Sequence, residues 1–353
     1  MDGALHVVLE KALLALGRLD SVTTLLPEPN LLLYSYVRKE AVLSSQIEGT
    51  QSSISDLLMF EMKGVPGAPL DDVREVSNYV AAMEHGLKRL RGGFPLSNRL
   101  VRKIHEILLS HGRGSGKEPG QFRRTQNWVG GTRPGNAHFV PPPHTEVEAC
   151  MGALERFLHD DTAGIPALVK AGLAHVQFET IHPFLDGNGR VGRLLITFML
   201  CHAGVIREPT LYLSLYFKRH RAEYYRLLDE VRRTGDWEKW MAFFLEGVRE
   251  TADEAVATAG RLVELFQKDR DRVQKGGRAA ASALRVHDIL KERPLVSLRE
   301  VSRRTGLSFP AAASGMRLLM SLRIARELTG RKRDRMFGYD RSLKILAEGM
   351  GPL

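Results

Sequence analysis

His182-Pro183-Phe184-Leu185-Asp186-Gly187-Asn188-Gly189-Arg190-Val191-Gly192-Arg193 joins two helical stretches and brings several kinds of chemistry into twelve residues. Upstream, Ile165, Leu168, Val169, Leu173, Val176 and Ile181 recur mostly three or four apart, which makes one apolar helical stripe. Pro183 disfavours helical geometry at His182, so the helix ends there and presents the histidine at its tip. Gly187 and Gly189 let the backbone turn its amides inward and approach a ligand. From Arg190 onward, Leu194, Leu195, Phe198 and Met199 restore helical spacing, so the loop feeds a helix N-terminus. Exposed amides and the positive end of a helix suit phosphates.

Arg190 and Arg193 stand three apart on that first turn and can face one pocket. Cations there oppose the helix dipole by roughly 0.3–1 kcal/mol each, which points to a site awaiting a polyanion. Asp186 is the only carboxylate of the loop, and beside bound phosphates it can hold Mg²⁺, a hard ion that prefers oxygen. A lone histidine is usually structural and a lone Gly-Asn-Gly is usually a turn. Together, a base, a metal ligand, an amide cradle and two guanidinium groups describe a site for phosphoryl or nucleotidyl transfer.

Around this loop almost every segment of the 353-residue chain reads as helix, including residues 98–109, 237–247 and 254–266. No apolar run reaches the roughly 20 residues that a spanning helix needs, and the first residues carry an acid where a signal peptide wants positive charge. Cys150 and Cys201 offer neither a disulfide framework nor a zinc quartet. A cytoplasmic protein without membrane attachment is expected. The net charge of +10 suits phosphate-bearing partners.

The loop resembles the signature of the Fic family, His-Pro-Phe-x-Asp/Glu-Gly-Asn-Gly-Arg-x-x-Arg, at every fixed position. The resemblance implies a helical core and a protein adenylyltransferase. His182 would deprotonate a Ser, Thr or Tyr hydroxyl of a target protein, which attacks the α-phosphate of ATP while Asp186 holds Mg²⁺. Gly187, Asn188 and Gly189 would line the anion hole, with Val191 and Gly192 on the same nucleotide-binding turn. Arg190 and Arg193 would take the outer phosphates. Relatives that move a phosphate carry lysine for the second glycine, so Gly189 favours AMP as the group transferred.

Two further segments resemble family elements. Ser44-Ser45-Gln46-Ile47-Glu48-Gly49 matches the inhibitory pattern Ser/Thr-x-x-x-Glu-Gly/Asn, in which Glu48 would occupy Arg193 and keep the γ-phosphate out. Helical spacing places the Ser44 hydroxyl within reach of Glu48, and Gly49 ends the helix. Residues 120–143 read as a β-hairpin flap, with Val129, Gly130, Gly131 and Thr132 against the nucleotide. The flap would pair with the target by strand addition. Tyr224 is the candidate adenine contact. Arg232 stands where some relatives carry an asparagine that binds the base.

Lys275-Gly276-Gly277-Arg278 reads as a linker. Beyond it lies a helix near 283–292, then a helix opened by a Ser297–Glu300 capping box and stopped by Gly306. A third helix starts at Ser308-Phe309-Pro310, and two short strands flank a basic tip. That order describes a winged helix-turn-helix. Arg323, Arg326, Arg331, Lys332, Arg333 and Arg335 cluster near the wing, as contacts to DNA phosphates require. The Ala311-Ala312-Ala313 helix lacks the residues that usually read bases. DNA binding by a regulator with a Fic sensor core, target docking and homodimer contacts all stay open for this unit. The expected fold is all-α, with one small β-hairpin flap and a C-terminal winged helix. It divides into 1–94 with the inhibitory helix, a catalytic core at 95–275, and the winged unit at 278–353. Removal of AMP and self-modification are further activities of some relatives.

Overall fold

Helices dominate because the chain alternates apolar residues at helical spacing and confines glycine and proline mostly to the joints. The computed structural model describes residues 3–25, 30–62, 68–160, 162, 164–331 and 333–351. α1 (Gly3–Leu25) lies along α11 (Trp237–Gln274). α2 (Asn30–Ile47), α3 (Ile54–Glu61), α4 (Leu70–Arg91) and α5 (Asn98–Leu108) follow α1, with α2 and α3 packed on α4 and α4 on α5 and α8. The centre is formed by α7 (Ala167–Ile181) and α8 (Asn188–His202); α6 (Val147–His159) packs on α7, and α9 (Ser214–Arg219) and α10 (Arg221–Thr234) complete the core region.

α7 departs from the stripe read in the sequence. Lys170, His175 and Glu179 are buried along with its apolar residues, because α6, α8, α10 and α11 surround the helix. α8 is buried almost as completely. The two runs read as 237–247 and 254–266 form one helix of 38 residues, since nothing between them breaks the pattern. No helix among the described residues is long and apolar enough to cross a membrane.

The flap is less regular than a hairpin of strands. It turns back through a single antiparallel bridge, Val129 to Phe139, around a 3-10 turn at Pro134–Asn136. Gly130 and Gly131 follow the bridge at once, too close to extend a ladder.

The sheet of the described residues lies near the C-terminus. It follows α12 (Ala280–Glu292) and consists of β1 (Leu295–Ser297), β2 (Arg326–Glu327) and β3 (Met336–Gly338), antiparallel in the order β1-β3-β2. Between β1 and β2 run α13 (Leu298–Thr305) and α14 (Phe309–Ser321), and α15 (Asp340–Ala347) follows β3. Ser297 Oγ accepts from Glu300 N at 3.2 Å, but the Glu300 carboxylate is held by Arg303 and Arg304, so only half of the capping box forms. Buried Asp269 on α11 accepts from Tyr339 Oη at 2.6 Å and pairs with Arg341 and Arg272, which fixes this unit to the long helix. Lys332 lies outside the described residues.

Candidate active site

His182 caps the C-terminus of α7 in the left-handed region, φ +49°, with its N–H still donating to Phe178 O at 2.9 Å. A side chain at positive φ is strained unless its surroundings hold it. Arg123, buried at the base of the flap, donates from Nε to His182 O at 3.0 Å and from Nη2 to Pro142 O. Phe184 is fully buried and stacks on the His105 ring at 3.7 Å, which pins the loop by about 1.5–3 kcal/mol of burial. His105 in turn binds Asp186 O at 3.0 Å and accepts from Gly120 N at 2.8 Å.

Asn188 spends its side chain on the loop itself. Its Oδ1 accepts from Phe184 N at 2.9 Å and its Nδ2 donates to Phe184 O at 2.8 Å. Gly187 takes φ +78° as the N-cap of α8. Asp186 Oδ1 accepts from Gly187 N at 2.6 Å, and the carboxyl group stays partly exposed. Its other oxygen lies against Gly114, where a Cβ would collide with it. No group of three or more metal-binding side chains occurs among the described residues. Mg²⁺ commonly takes one carboxylate and completes its shell with phosphate and water oxygens, so Asp186 alone fits such a role.

The two arginines do not share a partner. Arg190 is buried and pairs with Glu75 Oε2 of α4 at 3.1 Å, while Arg113 holds Glu75 Oε1 at 3.0 Å. Arg193 donates from Nη2 to Glu48 Oε1 at 2.7 Å and to Ser44 O at 2.9 Å, and from Nε to Ser44 Oγ at 2.7 Å. The sequence reading paired the Ser44 hydroxyl with Glu48; it binds the arginine instead. Gly49 takes φ +95° just past α2 and turns the chain away after Glu48. Arg193 Nη1 is buried without a partner beside Gly189, where a Cβ would meet it at 3.0 Å and collide with Glu48 Oε1.

Electrostatics follow from this packing. Burial pushes Glu48 up, but the Arg193 charge outweighs it and holds the carboxyl below its ordinary range. Burial, then the Arg232 charge, lower the His182 imidazole to about 4, so it is neutral at pH 7. Glu179, three residues before it, is raised to about 7 by burial, against the pull of Arg193. Gly192 lets Glu179 Oε1 and the His175 ring lie against α8, since a Cβ there would collide with the carboxyl oxygen.

The structure therefore gathers His182, Asp186, Gly187, Asn188, Gly189, Arg190, Val191, Gly192, Arg193, Ser44, Glu48 and Gly49 at the start of α8 and the end of α2. Val129, Gly130, Gly131 and Thr132 lie on the flap, which Asn127 ties to the loop through Phe184 O at 2.9 Å. Tyr224 is placed in the core, its hydroxyl 2.8 Å from His175 Nε2 and its ring beside Phe217. The neighbouring Tyr225 is 38% exposed and offers the open ring. Glu75 and Arg123 escaped the sequence reading as site residues, since nothing in their spacing ties them to the loop, and Tyr225 was passed over for its neighbour Tyr224.

Comparison with known proteins agrees with this architecture. The model of the Fic/DOC family N-terminal region matches residues 7–88, and that of the Fic/DOC family matches 95–200. A protein adenylyltransferase Fic of Aedes aegypti is 31% identical over 212 residues, 59% of this chain and 39% of the relative. Its counterpart in Drosophila melanogaster is 28% identical over 210 residues, with the same coverage. The chain thus spans about two-fifths of the length of these curated relatives. A Fic family protein from Desulfovibrio desulfuricans has the same fold over 96% of both chains, with a TM-score of 0.62 at 20% identity. A Fic-1 fragment from C. elegans aligns over 74% of each chain, with a TM-score of 0.52 at 22% identity. The two family models together match more than half of the sequence, and the chain belongs to the Fic/DOC family.

Proposed function

We propose that the chain is a protein adenylyltransferase whose arginine for the outer phosphate is held back by Glu48. The observation that carries the reading is the Glu48–Arg193 pair at 2.7 Å, at one end of a loop whose other end is His182. The curated relatives named protein adenylyltransferase Fic support the reaction class.

In this reading the neutral His182 imidazole takes the proton of a Ser, Thr or Tyr hydroxyl on a target protein. The hydroxyl oxygen bonds to the α-phosphorus of ATP, the bond to the bridging oxygen breaks, and pyrophosphate leaves. Loop amides and Arg190 stabilise the charge on the phosphates. Mg²⁺ on Asp186 would neutralise part of that charge. The unpartnered Nη1 of Arg193 is the donor left for the γ-phosphate, and Glu48 occupies the space beside it. Tyr225, more open than Tyr224, is the better wall for the adenine.

Residues 278–353 are read as a winged helix on their element order. Several cations near its tip are already spent, Arg326 on Asp340 and Arg335 on Glu327 at 3.5 Å. No contact favours DNA over a protein partner for this unit.

The test incubates wild type, Glu48→Gly and His182→Ala with Mg²⁺, cell lysate and ATP labelled at either the α- or the γ-phosphate. Protein labelled only from the α-position, strongest in Glu48→Gly and absent in His182→Ala, is expected. Labelling from the γ-position would replace AMP transfer with phosphotransfer.

A further inference from the structure

Arg232 stands at a position that family resemblance left unexplained. From α10 it reaches the last turn of α7. Its Nη2 donates to Glu179 O at 3.1 Å and its Nε to Thr180 Oγ1 at 3.3 Å. These acceptors lie two and three residues before His182. A helix C-terminus has unsatisfied carbonyls and the negative end of the dipole, so a half-buried guanidinium is well placed there. On its other side the guanidinium carbon lies 3.9 Å from the centre of the Phe139 ring, within stacking range. Phe139 is the flap residue that forms the bridge to Val129. One side chain thus grips the helix end that carries the histidine and the strand-like edge of the flap.

Arg123 makes a parallel connection, from His182 O and Ile181 O to Pro142 O at the far end of the flap. It differs in holding only backbone, whereas Arg232 binds the flap through a side chain that whatever lies on the flap can move. The charged groups that bear on the imidazole are Arg232 from α10, Arg123 from the flap base, Glu48 beyond α2, and Glu179 through its backbone on α7 itself. Among the cations, Arg232 ranks first in its effect.

We infer that Arg232 is a positioning residue for His182, joining the end of α7 to Phe139 so that what seats the flap also sets the imidazole. This rests on His182 being the base. Nucleotide or target bound under the flap would press Phe139 onto the guanidinium, and the hydrogen bonds to Glu179 O and Thr180 would pass that displacement to the turn holding the histidine. A ring lost from position 139 leaves the guanidinium free to shift, with the same consequence for the base.

The test uses the full chain in the Glu48→Gly background, with histidine carbons labelled for NMR and His182 assigned by its loss in His182→Gln. Arg232→Gln removes the charge, Arg232→Lys keeps it without the planar fork, and Phe139→Leu removes the ring that stacks on the guanidinium. In Arg232→Gln the His182 titration should move to higher pH; in Arg232→Lys it should stay. Saturating rates should fall about tenfold in Arg232→Lys and Phe139→Leu, with KM for ATP within about twofold of the parent. A role confined to structure would leave the His182 titration unmoved in Arg232→Gln, and that result overturns the inference. So would an unchanged saturating rate in Phe139→Leu and Arg232→Lys. If the Glu48→Gly parent transfers no AMP, the reading of the site fails, and the NMR titration, which needs no turnover, still judges Arg232.

Discussion

Replacing Glu48 with glycine should raise both ATP affinity and the rate of AMP transfer. In the resting arrangement Arg193 makes three hydrogen bonds, two to Ser44 and one to Glu48. Only the last is charge-assisted on both sides, and a bond of that kind contributes about 1.5–3 kcal/mol. Removing it lowers the cost of turning Arg193 toward a γ-phosphate by that amount. At 1.4 kcal/mol per tenfold, the population competent for ATP should rise about 10- to 150-fold. The glycine also vacates the space that Glu48 Oε1 fills beside Gly189. Initial rates with α-labelled ATP and the Kd of a fluorescent ATP analogue would be measured on wild type and Glu48→Gly together. Ser44→Ala added to Glu48→Gly should contribute only about another threefold, since the two Ser44 bonds include one to its backbone. A change below about twofold in both rate and Kd would show that Glu48 does not hold the arginine back.

Four other outcomes are expected. Because His182 is lowered to about 4, the saturating rate of Glu48→Gly should hold from pH 8 down to about 5.5, where an ordinary histidine would already have lost activity. Folded-state values lowered from 6.5 to about 4 at His105 and His182 and about 3 at His175 mean that the unfolded chain binds more protons at these three sites, which Glu40 and Glu179, raised to about 7 by burial, offset only in part. Stability should therefore fall as pH drops below about 6.5, read as urea midpoints at pH 7, 6 and 5. Glu75→Ala leaves buried Arg190 with only the more distant Asp186 Oδ1 at 3.7 Å and should cost about 3–5 kcal/mol in urea unfolding, a loss that the exposed pair Arg226–Glu223 would not reproduce. Asp186→Asn should leave the melting temperature unchanged, lower the rate of transfer and raise the Mg²⁺ concentration it requires, measured by titrating the metal.

The loop at 182–193 was legible because its chemistry sits in twelve consecutive residues and its geometry is local. Pro183 marks where α7 stops, and the structure agrees; α8 starts at Asn188, two residues before the Arg190 from which the spacing was read. The partner of Arg190 was not legible. Glu75 lies 115 residues away on α4, and nothing in its own heptad marks it as buried rather than solvated. Ser44 was found by spacing but given the wrong partner, since an i,i+4 rule knows nothing of a third group from α8. The flap was overread: extended residues between turns look like strands, whereas Gly130 and Gly131 leave a single bridge. Tyr224 and Tyr225 are adjacent, and only the packing of α10 against α7 decides which ring goes inside.

The two arginines of α8 are neutralised in unequal ways, and that inequality bears on how the chain can change by mutation. Glu75 is 1% exposed within α4 and also binds Arg113, so its loss damages the fold before it alters any activity. Glu48 is 32% exposed, past the end of its helix, and touches the rest of the site through one oxygen. In the proposed reading, a variant that escapes the Glu48 restraint keeps its fold and is one substitution away, while a variant that loses Glu75 loses stability first. On that same reading, selection to keep the chain in check acts at position 48 itself, because folding alone will not remove the mutants that lack Glu48.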